Sequence, residues 1–437
     1  MTKAKRAVEL VKTALIVLLS VSAMLLAWRT GIFNDFAAAI PLISSVADLM
    51  RGATGTVEPG GATYMEAARP LSIVITSEGG RRFGVKYDTD LRNAVYERAS
   101  SILGEALGSA SAPVEISEEQ WRASLSRPGV FFEYITPVRL SVLDRWLGVP
   151  MLDSAPDALI PDSASDVMLR RMFVAFGEDR SRLYYQDHDS GRFFGADTAS
   201  AAGKAQELEI YNANDAMFAF ETGIIGSENA PYMLIMPGTS HPDVRSAYVG
   251  SQELLLEIAR DAFGHINEDF TTYPGGEGEL VCVGTQFRIT VYPDGRVLYR
   301  RLDGPPLDRE AHHLRESEMI ERARVLAADS VGATSGDAEV FFEIFGRGEG
   351  VYSVSFGYYI AGGRVFLPED RHAAWVRFSD GFAMEAELNF RNFTFTGEYS
   401  TLLFERQALA AAGGEFMLSY SDAGAEILNP SWVKYGF

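Results

Sequence analysis

Six histidines (His188, His241, His265, His312, His313 and His372) and one cysteine, Cys282, are the residues best suited to metal or nucleophilic chemistry. Their spacing favours neither. His312 and His313 are adjacent, and neighbouring positions do not share a helix or strand face, so the pair makes a poor two-ligand site. Cys282 sits in the apolar run Leu280-Val281-Cys282-Val283 and reads as a buried, inert thiol. The segment Asp187-His188-Asp189-Ser190-Gly191 echoes the start of a calcium loop. It lacks a third oxygen ligand and the closing glutamate, and reads better as a hairpin turn. Glu207 and Glu209 flank Leu208 at strand spacing, as paired carboxylates for sugar hydrolysis would, yet two nearby acids are unremarkable in so acidic a chain. Gly275-Gly276-Glu277-Gly278 has no phosphate or dinucleotide fingerprint, and no Gly-x-Ser-x-Gly elbow occurs. Tyr184, Tyr185, Phe193 and Phe194 offer a stacking surface for sugars or a partner, although at strand spacing half of them belong in a core. The sequence therefore supplies no catalytic residue, no metal ligand set and no cofactor motif.

The elements that would position such residues alternate between helices and antiparallel strands. Strands are expected at 71–76 and 83–87, then a helix over 91–107 capped by Asp88 or Asp90. A strand at 130–135 and a short helix at 142–147 follow, then a meander over 168–176, 182–186 and 192–195. The middle of the chain has a strand at 232–236 and a helix over 251–263. Its clearest feature is the hairpin 287–292 and 296–301 around Pro293-Asp294-Gly295. A charged helix over 315–331 leads to strands at 339–345, 351–360, 373–378 and 383–395. The fold class is α+β, with antiparallel sheets packed on helices in two or three units.

The chain has 437 residues and a net charge of −20. Among its first 29 residues five cations face one glutamate, a local +4 that leaves −24 on the remainder. So acidic an exterior repels phosphate backbones and excludes nucleic acid as a partner. Thr13 to Trp28 is an uncharged apolar run between Lys12 and Arg29. Extended through Phe33 it is long enough to cross the lipid bilayer as a helix, with Trp28 in the interfacial belt. Lys3, Lys5, Arg6 and Lys12 precede it, which puts the N-terminus in the cytoplasm and the ectodomain outside the cell. No small-x-small exit follows the run, so the span is expected to remain uncleaved. The expected organisation is a basic tail (1–12), a transmembrane helix (13–33), a juxtamembrane segment and linker (34–68), an N-terminal α+β ectodomain (69–200), a middle α+β region (201–310) and a C-terminal α+β domain (311–437).

This layout resembles the YycH/YycI family of Gram-positive bacteria. The likeness lies in the basic tail, the single span ending at Trp28 and the disulfide-free α+β ectodomain. More specifically it lies in the hairpin Thr285 to Tyr299, in Tyr352 to Phe366 with its Tyr358-Tyr359 and Gly362-Gly363, and in the closing Leu428-Asn429-Pro430-Ser431-Trp432. The resemblance implies a non-enzymatic regulator that needs no cofactor. Its partner would be the membrane sensor histidine kinase of a two-component system governing cell-wall metabolism, with a paralogous regulator as a further partner. Contacts would run between membrane helices and between ectodomains. Ser20, Ser22, Ala23 and Ala27 are the small residues that would allow close helix approach. The alternative is a tethered surface protein that binds or hydrolyses wall glycans.

Overall fold

The computed structural model describes residues 66–147, 167–199, 201–265, 267–302, 315–348, 350–379 and 382–435. The expected span at 13–33, with Ser20, Ser22, Ala23 and Ala27, lies outside them, as do His312 and His313. Among the described residues no helix is long and apolar enough to cross a membrane.

The first lobe is built on β1 (Ser72–Thr76), β2 (Arg82–Val85), β3 (Val114–Ile116), β4 (Gly129–Arg139), β5 (Met168–Ala175), β6 (Ser181–Asp187) and β7 (Phe193–Thr198). They form one antiparallel sheet in the order β2-β1-β4-β5-β6-β7-β3. The central strands β1 and β4 read as nearly continuous apolar runs because both their faces are covered. Helix α1 (Thr89–Gly108) lies on one face, packing Val95, Ile102 and Leu103 against Ile73, Phe132 and Met172. The other face carries an aromatic layer of Phe131, Phe173, Tyr184 and Phe193, closed by Trp121 of α2 (Glu118–Ser124). All four aromatics weighed as a stacking surface are thus buried, Tyr184 and Phe193 on one face, Tyr185 and Phe194 on the other.

The Asp88 carboxylate accepts a hydrogen bond from the Leu91 amide at 2.9 Å and caps α1. Asp88→Ala should cost about 1 kcal/mol of stability, read as a lower urea midpoint with unchanged slope.

Helix α3 (Leu140–Trp146) leaves the end of β4, and α4 (Ala202–Leu208) follows β7. Glu207 is therefore helical and Glu209 is the helix cap, both exposed. Residues two apart on a helix do not face one another. The two carboxylates therefore lack the strand spacing at which they could have faced one side together.

A short pair, β8 (Met217–Phe218) and β9 (Leu234–Ile235), leads to the second lobe. There β10 (Ser240–Tyr248) precedes α5 (Gln252–Ala262), and β11 (Phe270–Pro274), β12 (Leu280–Gly284), β13 (Phe287–Val291) and β14 (Arg296–Arg301) form a meander. Gly295 turns the β13–β14 hairpin with φ +80°, and a Cβ there would press on the Phe390 carbonyl. After α6 (Glu316–Asp329) come β15 (Glu339–Arg347), β16 (Val351–Ile360), β17 (Gly363–Phe366), β18 (Ala374–Ser379), β19 (Phe382–Asn389) and β20 (Arg391–Thr401). Helix α7 (Glu405–Ala412), β21 (Phe416–Ser421), β22 (Ile427–Leu428) and β23 (Ser431–Lys434) close the chain.

The expected strand over 383–395 divides at Phe390. β19 joins the large sheet and β20 pairs with β10 in a small one. The division follows from Phe390, which is buried while its amide donates to the Gly295 carbonyl instead of a neighbouring strand. The large sheet runs β11-β12-β13-β14-β19-β18-β16, from which β17, β21 and β23 extend on one side of β16 and β15 on the other. Helices α5 and α6 pack on this sheet, α5 against β13 and β14 and α6 against β15, β16 and β18.

Candidate functional site: the charged seam between the lobes

The two lobes meet along β4 and β15, and the seam is rich in ion pairs. Arg69 and Arg92 of the first lobe both reach Glu339. Lys86 lies 3.5 Å from the buried Glu405, Arg139 pairs with Glu316, and Arg170 and Arg171 both pair with Glu415. In each of these pairs the cation belongs to the first lobe and the carboxylate to the second. Trp146 adds an indole N–H donated to Glu321 at 3.1 Å, and the Tyr435 hydroxyl donates to the Ile135 carbonyl at 2.7 Å.

The geometry around Glu415 depends on irregular strands. Successive side chains of a regular strand point to opposite faces. Arg170 and Arg171 are consecutive, yet both grip Glu415. They can because the β5–β6 register shifts between Leu169 and Met172, while β4 and β5 lose register between Glu133 and Val138. Such bulges re-aim side chains. Arg170 binds Glu415 through two hydrogen bonds of 2.9 and 3.0 Å, its guanidinium stacked on the Tyr435 ring. Arg171 also donates to Glu133 at 2.8 Å, and Glu133 accepts from Ser72.

Burial alone would raise the Glu415 pKa, but the Arg171 and Arg170 charges bring it down to about 2. A carboxyl whose folded pKa lies below its unfolded value of 4.5 contributes stability that is fully present above that value. This contribution is lost as pH falls toward 2, and on linkage grounds it is on the order of 3 kcal/mol. Thermal midpoints should therefore drop between pH 4.5 and 2, with a visibly flatter slope in an E415Q variant. An identical slope in the two proteins would assign the acid lability to other carboxylates.

A second buried carboxylate, Glu343, is the bulged residue of β15, where the register with β16 skips from Phe342 to Ile344. Arg364 holds it at 2.6 and 2.8 Å, and Tyr359 and His372 each lie 3.1 Å away. Burial pushes its pKa up, but the His372 hydrogen bond and the Arg364 charge outweigh burial and hold it below the usual carboxylate range. Space for this side chain exists because residue 357 is glycine: a Cβ there would overlap the Glu343 carboxylate.

Between these two clusters lies a groove of about 610 Å³. Met168, Ile320, Phe342 and Phe345 give it apolar walls, and Arg170, Glu415, Arg139 and Glu316 line it as two ion pairs. His188, half-buried at its rim, is held below the ordinary histidine range by burial and then by the Arg170 charge.

The other histidines are dispersed. His265 sits between Glu268 and Tyr299. His241 is packed between Tyr87 and Trp432 with neither ring nitrogen hydrogen-bonded, and burial, then Lys86, lowers its pKa to about 4. Asp187 to Gly191 forms the β6–β7 turn, with Ser190 hydrogen-bonded to Asp187. Cys282 is buried, and burial raises its thiol pKa. Among the described residues no group of three or more His, Cys, Asp or Glu is placed to hold a metal ion. The seam residues escaped sequence reasoning, although a lone acid inside Phe131-Phe132-Glu133-Tyr134-Ile135 and again inside Phe341-Phe342-Glu343-Ile344-Phe345 was a signal. A charge at the centre of an apolar strand requires a buried partner.

The class defined by this geometry is an α+β protein of antiparallel sheets packed on helices, its lobes joined by partly buried ion pairs. Among solved structures it is similar to the crystal structure of YycH from Bacillus subtilis, at 13% sequence identity and a TM-score of 0.55, covering 84% of this chain and 94% of that one. The fold is YycH-like. No family model and no curated protein matches the sequence.

Proposed function

We propose that this protein is a non-catalytic regulator, held in the cell membrane by the helix at 13–33, that modulates a sensor histidine kinase of a cell-wall two-component system. The single observation that carries this reading is the YycH-like fold, matched over 94% of that chain and 84% of this one. The basic tail and apolar run that precede the ectodomain support it, because they supply the anchor such a regulator needs. Ser20, Ser22, Ala23 and Ala27 are the proposed contact face, since small residues let helix backbones approach. A paralogous regulator is a further proposed partner. The rival reading, glycan binding or hydrolysis at the cell surface, is weakened: its four aromatics are buried and its two carboxylates lie on an exposed helix.

Replacing residues 12–33 by an unrelated membrane span should abolish co-purification of the kinase and change expression of its target genes. Unchanged co-purification and output would refute the membrane-contact mechanism. Specific retention of purified peptidoglycan by the full chain would favour the glycan reading instead.

A further inference from the structure

One point of the seam is closed by ring packing around His241 of β10. The imidazole is 2% exposed, with the Tyr87 ring centroid 4.8 Å away, the Trp432 indole 5.2 Å away and both nearly perpendicular to it. Tyr87 belongs to the first lobe and Trp432 to β23 of the second, so the imidazole joins the lobes here. Neither of its nitrogens is hydrogen-bonded. β23 is the outermost strand on its side of the large sheet, paired with β21 alone and mostly exposed. Trp432 fastens it, through the indole N–H donated to the Leu403 carbonyl at 3.0 Å and through contacts with Phe416 and His241. Of the elements that cover the imidazole, this short edge strand is the one that local opening releases most readily.

A neutral ring suits this setting and an imidazolium does not. Among the described residues the charge that bears on His241 is Lys86, itself buried, which opposes a proton there. Glu405 of α7, which could offset it, is already taken by the Lys86 ammonium, the Tyr87 hydroxyl and the Met236 amide. Burial and then the Glu405 charge hold the Tyr87 phenol well above its ordinary range, so it stays neutral. Asp243, further along β10, acts on Tyr420 of β21, and Ser400, opposite His241 on β20, carries no charge. Glu398 of β20, Arg406 of α7 and Lys434 of β23 are exposed, and Arg391 at the far end of β20 pairs with Asp422. A protonated His241 would therefore meet a like charge and no free acceptor.

We propose that His241 is an acid-sensitive latch between the lobes: on mild acidification it takes a proton, leaves its place between Tyr87 and Trp432, and releases β23. The proton stays on the imidazole, which reaches water once β23 has moved. Burial, then Lys86, brings the His241 pKa from 6.5 to about 4 in the closed form. A group whose folded pKa is depressed in this way holds the latch fully above pH 6.5 and loses it as pH falls toward 4. At pH 5 the opening equilibrium should be about 30-fold more favourable than at pH 8. The Glu415 contribution begins to fall only near pH 4.5, so the two effects separate. This inference does not rest on the regulatory reading, because it is measured on the purified chain without a kinase.

Amide hydrogen exchange of the full-length protein in detergent, at pH 8, 6.5 and 5, tests the latch, each rate being divided by the intrinsic rate at that pH. Corrected exchange over 431–434 should rise about 30-fold between pH 8 and pH 5. Over 287–291, in the middle of the large sheet, it should change less than about threefold. His241→Phe keeps an aromatic ring between Tyr87 and Trp432 without a titratable nitrogen, and should abolish the rise at 431–434. His241→Leu serves the same purpose where the phenylalanine variant does not fold. A wild-type rise below about threefold, an equal rise over 287–291, or a full rise in either variant would each overturn the proposal.

Discussion

Glu415→Ala is expected to destabilise the protein by about 3–5 kcal/mol, because it strips the shared carboxylate from two largely buried guanidinium groups. Arg170 and Arg171 are 12% and 11% exposed at their side chains, and Glu415 is their joint partner across the seam. Arg171 retains Glu133, but Arg170 keeps only a longer, 3.6 Å approach to that same carboxylate. E415Q preserves volume and one acceptor oxygen while removing the charge. It should remain destabilised relative to wild type and less so than the alanine variant. Urea unfolding followed by tryptophan fluorescence would measure both. A loss below about 1 kcal/mol would show that the arginines reach water once their partner is removed, as surface pairs do.

The second large effect is expected at Glu343. Its side chain is fully buried and bound by Arg364, Tyr359 and His372. Glu343→Ala leaves the Arg364 charge without its carboxylate inside the protein, for a cost again of about 3–5 kcal/mol. Gly357→Ala attacks the same site from the opposite strand. Its methyl group needs the space that the carboxylate occupies, so the acid must shift away from its three partners. The two single variants should each be severely destabilised, and the double variant should be less so than the sum of the two, since both disrupt one interaction. Strict additivity in a double-mutant cycle would separate Gly357 from the carboxylate.

Local chemistry was legible wherever it depended on neighbouring residues. The helix expected over 91–107 is α1, and the aspartate named as one of two caps, Asp88, is the one that accepts from Leu91. The Pro293-Asp294-Gly295 turn joins β13 and β14 because glycine alone supplies φ +80° without strain. The α+β class follows from the same local patterns. The short strands of the middle region were harder. β10 and β11 carry few buried side chains, so no alternation marks them, and they exist because β20 and β12 pair with them.

The seam was decided by tertiary structure. Arg170, Arg171, Glu133, Glu343 and Glu415 were visible as charges, and two of them stood inside matching Phe-Phe-Glu runs. Nothing in one sequence states that Glu415 meets arginines some 245 positions earlier, or that bulges turn two consecutive arginines to one carboxylate. Pairing over such distances is set by how two sheets dock, and docking depends on the summed shape of both cores. The sequence by itself determined the acidic exterior, the α+β elements with their turns and caps, and an N-terminal run fit to anchor the chain. Only the folded protein decided that charges far apart in the chain would neutralise one another across the seam between the lobes.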